Sequence, residues 1–125
     1  MEDKRKKSVE SCLKRNKIKD LNSAREICLS KGINVEEVVK GVQPIAFENA
    51  VWAFTLGVAI AIKRDAKDIN SVCDALGEGL QAFCIPGSVA DCRQIGIGHG
   101  KLAARLLSED TKCFCFLAGH ESFAA

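Results

Sequence analysis

Fourteen consecutive residues without a charge, from Asn49 to Ile62, lie inside the stretch PIAFENAVWAFTLGVAIAIKR. A helical bilayer crossing needs about 20 apolar residues, so this run is too short to span a membrane and suits a buried helix. It is apolar nearly all round, which leaves no face for water and makes it the expected centre of the fold. Pro44 is the natural opening of that helix, because a missing N–H is tolerated in the first turn. The stretch therefore predicts the longest and most buried helix, with Glu48 and Asn49 as its polar residues.

The segments before it predict small helices packed around that centre. Residues 3–19 read as a charged helix with Val9, Cys12 and Leu13 as a thin apolar stripe. Ser23 followed by Glu26 has the spacing of a capping box, opening AREICLSK, and Gly32 suits the close of that helix. Asn34 is placed to cap VEEVVKGV, whose acidic first turn complements the helix dipole. After the central run, Asp68 opens a helix with Ile69, Val72, Cys73, Leu76, Leu80 and Phe83 on one face.

Charge is unevenly spread. Residues 1–25 hold nine Lys/Arg against four Asp/Glu, whereas the whole chain of 125 residues carries a net +2. Without interleaved aromatic residues or a nucleic-acid module, the basic start reads as a solvated helix, and no nucleic acid is expected as partner. The N-terminus is charged with no apolar stretch behind it, so no signal peptide and no membrane association are expected. A cytoplasmic, reducing setting follows, in which the seven cysteines are thiols or metal ligands rather than disulfides.

Chemistry-bearing residues concentrate in residues 83–125, read as a glycine- and cysteine-rich turn–helix–strand segment of the same domain as the helical platform 1–82. Pro86-Gly87 breaks the helical pattern, and Ser88 with Asp91 forms a second capping box before a short helix carrying Cys92 and Arg93. The run IGIGHGK then reads as a turn. It lacks the glycine at position 95 and the Ser or Thr at 102 of a phosphate loop, and the glycine at 101 of a dinucleotide fingerprint. What remains is an anion site built from free N–H groups at Gly98, His99 and Gly100, with Lys101 beside them.

KCFCFLAG is the convincing strand, with Cys113 and Cys115 on one face and Phe114 and Phe116 on the other. Its near-continuous apolarity predicts a strand covered on both sides. Gly119, His120, Glu121 and Ser122 follow it as a second turn, where ligands commonly bind in α/β sheets. There His120 and Glu121 could move a proton, with Ser122 as helix cap and ligand contact. The expected class is mainly α with a C-terminal α/β element: a helical domain leading into the first strand of a larger sheet, cut short. No CxxC pair is present, so Cys84, Cys92, Cys113 and Cys115 do not form a self-contained zinc site; a cluster would need them to converge in space.

The stretches KGVQPIAFENAVWAFTLG, QAFCIPGSVADCRQIGIGHGKL and TKCFCFLAGHESFAA resemble the N-terminal part of the GGGtGRT protein family. The resemblance covers most of residues 35–125. It implies an association with iron–sulfur biology, through a NifU/IscU-like cluster scaffold as partner, and a homo-oligomer. On that footing Cys84 and Cys113 are the candidate ligands of an iron–sulfur cluster, with Cys92 and Cys115 in reserve. A different expectation from the residues is an enzyme that binds a small anionic metabolite at the two Gly/His turns. A third is a non-catalytic assembly module.

Overall fold

The computed structural model describes residues 3–40, 47–83 and 89–107, and every regular element among them is an α-helix. In chain order these are α1 (Asp3–Arg15), α2 (Leu21–Ser30), α3 (Val35–Val38), α4 (Phe47–Lys63), α5 (Ile69–Ala82) and α6 (Val89–Leu107). No strand occurs among the described residues, so the expected α/β class is corrected to a helical one. The physical reason is that a strand must pair along its edge, and each described element instead closes its backbone hydrogen bonds within itself and packs side by side. Residues 112–119, where the strand was expected, lie outside the described residues.

α4 is the centre, as its lack of charge predicts. Residues 53–61 are all buried, and Phe54, Leu56, Val58 and Ile60 are at most 1% exposed. It packs most extensively against α5 and then against α2, with α3 and α6 on further sides. Among the described residues α6 is longer, at 19 residues against 17, while Pro44, the expected opening of the central helix, lies outside them.

The α4–α5 interface is unusually close because glycines line it. A Cβ placed on Gly79 would sit 2.3 Å from the Ala53 carbonyl oxygen and 2.6 Å from the Gly57 nitrogen. A Cβ on Gly57 would sit 2.8 Å from the Leu76 Cα. All three distances fall well inside van der Waals contact, so backbone meets backbone here and leaves no room for any side chain.

Helix ends follow local chemistry. The Asn34 side chain accepts a hydrogen bond from the Glu37 N–H at 3.3 Å, and Asp68 accepts from the Ser71 N–H at 2.8 Å, as the spacing predicted. α2 differs: Asp20, not Ser23, is its cap, and it accepts from the Ser23 N–H at 2.8 Å. At the other end Gly32 has φ 73°, its N–H bonds the Leu29 carbonyl, and the Ile33 N–H bonds the Cys28 carbonyl. This is a Schellman closure, with buried Ile33 supplying the apolar residue that accompanies it.

The same pair of bonds closes α1, through Lys17 and Ile18, and α4, through Asp65 and Ala66. There the left-handed residues are Lys17 at φ 58° and Asp65 at φ 52°, which carry the Cβ strain that glycine avoids.

Arg64, at the end of α4, ties three helices together. Its guanidinium donates to both carboxylate oxygens of Glu78 on α5, Nη2 to Oε1 at 3.0 Å, and also to Asn16 Oδ1 at 2.9 Å. Arg15 approaches the same carboxylate at 3.8 Å. The pairing holds Glu78 below the usual carboxylate range, chiefly through the Arg64 hydrogen bond.

Candidate functional site

Gly98, His99, Gly100 and Lys101 are placed in the interior of α6, and this corrects the expected turn. Inside a helix each N–H bonds the carbonyl four residues back, so the free donors on which an anion site there would rest are already used. Three glycines in six residues lower helix propensity by about 1 kcal/mol each. Packing offsets that cost: Gly98 and Gly100 are buried, and Leu102, Ala103 and Ala104 are at most 4% exposed. A Cβ on Gly98 would lie 2.7 Å from Cζ of Phe54, so this glycine admits the Phe54 ring of α4.

α6 begins at Val89, directly after the Ser88 position expected to cap it, and runs unbroken through Cys92 and His99. The expected break between a short helix and a second one is absent. Cys84, Ser88, Cys113, Cys115, His120, Glu121 and Ser122 lie outside the described residues. The described part of the chain therefore brings none of the proposed cluster thiols together with another.

The described residues do not fit a metal cluster. Among them no group of three or more His, Cys, Asp or Glu could hold a metal ion. Cys12 and Cys28 are each 1% exposed and Cys73 is half-buried. Burial raises all three thiols, with Cys28 pushed up to about 12. The Cys28 Sγ–H donates to the Thr55 carbonyl oxygen at 3.3 Å, which holds it as a neutral donor. Cys12 and Cys28 are core residues with suppressed nucleophilicity, whereas Cys73 is half-buried and outside the core.

One concavity among the described residues, the more apolar of two, sits between α2, α3 and α4. It has a volume of about 290 Å³, with Cys28, Ile33, Val51 and Trp52 in its wall and Arg25 and Glu36 among its lining residues. Leu29, 47% exposed and the exposed large apolar residue of the described surface, lines it as well. Spacing did not single out this site, because its residues come from three helices and carry no motif. The one available signal was Trp52, the chain's single tryptophan, carried on the central helix.

No described helix is long and apolar enough to cross a membrane. Comparison with curated proteins and with solved structures returns no match. A model of the family described as GGGtGRT protein matches residues 1–125, so the likeness extends through the basic first helix and is not confined to the part after residue 35. A match across every helix of the fold shows the family: this chain belongs to the GGGtGRT proteins.

Proposed function

We propose that this protein works in iron–sulfur cluster biology, in the reducing cytoplasm, beside a NifU/IscU-like scaffold and as a homo-oligomer. The observation that carries the reading is membership of the GGGtGRT family along the whole chain. The division of the cysteines supports it. Cys12 and Cys28 are buried in the helical core, and burial raises both thiols and that of half-buried Cys73; Cys84 and Cys113, with Cys92 and Cys115 behind them, are the ligands this reading requires. The helices α1–α6 then serve as the rigid body that carries those positions.

The test is anaerobic purification with iron and sulfide analysis, on the native chain and on Cys84→Ser combined with Cys113→Ser. Stoichiometric iron and sulfide, lost in the double variant while helical content is unchanged, is the expected result. A colourless native protein that also fails to take up iron in the presence of its scaffold would sink the reading. So would iron that is retained in the double variant.

A further inference from the structure

We propose that the cavity between α2, α3 and α4 binds a small zwitterion with an apolar side chain, of the size and chemistry of a free hydrophobic amino acid. Its volume, about 290 Å³, lies at the lower edge of the range of about 300–1,000 Å³ usual for ligand pockets, which restricts the occupant to a small molecule. The wall of Cys28, Ile33, Val51 and Trp52 calls for an apolar body, and the indole offers a flat face for one. Two polar groups of that wall are already paired: the Cys28 thiol with the Thr55 carbonyl, and the Thr55 hydroxyl with the Val51 carbonyl. Neither of these two groups asks for a hydrogen bond from a ligand.

The charged lining residues are of opposite sign and come from different helices, Arg25 on α2 and Glu36 on α3. Both are exposed, and neither enters an ion pair among the described residues. A lone carboxylate would be drawn by Arg25 and repelled by Glu36, and a lone ammonium the reverse. A molecule carrying both charges at one end satisfies the pair. Leu29, exposed on the same cavity, adds apolar surface that a bound side chain would remove from water. This inference is independent of the cluster reading, since it uses none of Cys84, Cys92, Cys113 or Cys115.

Trp52 is the chain's single tryptophan and there is no tyrosine, so intrinsic fluorescence reports this cavity alone. The probes are L-phenylalanine, phenethylamine, which lacks the carboxylate, and 3-phenylpropionate, which lacks the ammonium. A ligand of about a dozen heavy atoms at ordinary ligand efficiency binds with a Kd of about 1 mM. L-phenylalanine is expected to give a saturable change in Trp52 emission, with both analogues weaker by about 5-fold, the upper end for one exposed ion pair. Arg25→Gln should abolish the advantage of L-phenylalanine over phenethylamine, and Glu36→Gln its advantage over 3-phenylpropionate. Both residues are exposed, so neither change threatens folding. No saturable change up to about 20 mM, some twenty times the expected Kd, overturns the proposal, as does an analogue that binds equally well or indifference to both substitutions.

Discussion

Gly79→Ala should unfold this protein more readily than its size suggests, and Gly77→Ala two residues away should do the opposite. The new methyl at position 79 would meet the Ala53 carbonyl oxygen at 2.3 Å, the Gly57 nitrogen at 2.6 Å and the Gly57 Cα at 2.9 Å. All three are backbone atoms, so no rotamer change relieves the clash; α4 and α5 must separate by about 1 Å to restore ordinary contact. That separation opens the most extensive helix pair of the fold. Overpacking typically costs about 1–3 kcal/mol, and a backbone clash at the central interface belongs at the upper end. The better helix propensity of Ala returns about 1 kcal/mol, leaving a net loss of about 2 kcal/mol.

At Gly77 a Cβ meets nothing within 4 Å. Only the propensity gain remains there, about 0.5–1 kcal/mol of added stability. For a domain of this size the two changes move Tm by about −8 °C and +3 °C respectively. Urea unfolding followed by far-ultraviolet circular dichroism and by Trp52 fluorescence reads both. Two variants of equal stability, or a Gly79→Ala protein as stable as the native one, would refute the claim that α4 and α5 touch backbone to backbone.

Two further expectations concern titrating groups. Glu78, Asp20 and Asp68 all ionise more readily in the folded chain, Glu78 through Arg64 and the two aspartates through their capping bonds to Ser23 and Ser71. Depressed carboxylates contribute stability that is present above their unfolded value, about 4, and lost as pH falls through the lower folded values, so the urea midpoint should drop in acid below about pH 4. Glu78→Gln should flatten part of that drop, by about 0.5–1 kcal/mol given that Glu78 and Arg64 are partly exposed; an unchanged acid slope would contradict it. Among the described thiols, Cys73 should be alkylated before Cys12 and Cys28, because it is the most accessible and the other two are buried and protonated. Peptide mapping after timed iodoacetamide labelling gives the order, and early labelling of Cys28 would count against its hydrogen bond to Thr55.

Much of the candidate chemistry could be named from the sequence but not placed. His120, Glu121, Ser122, Cys84, Cys113 and Cys115 stand outside the described helices, so their grouping rests on sequence alone. The cavity shows the reverse case. Arg25, Trp52 and Glu36 are ordinary residues of three separate helices, and only packing makes them neighbours of one space.

Local chemistry by itself determined where helices begin and end: Asn34 and Asp68 cap, Gly32 takes the left-handed turn, and the uncharged run from Asn49 to Ile62 has to be buried. These outcomes depend on residues a few positions apart, whose side chains meet the same backbone in any context. Tertiary structure decided the glycines. In IGIGHGK they carry the freedom of a turn, yet Phe54, 44 residues before Gly98 in the sequence, needs the space that Gly98 leaves, and the segment stays helical. A glycine removes a side chain equally well for a bend or for a close approach. Which of the two it serves depends on the partner across the interface, and only the folded chain supplies that partner.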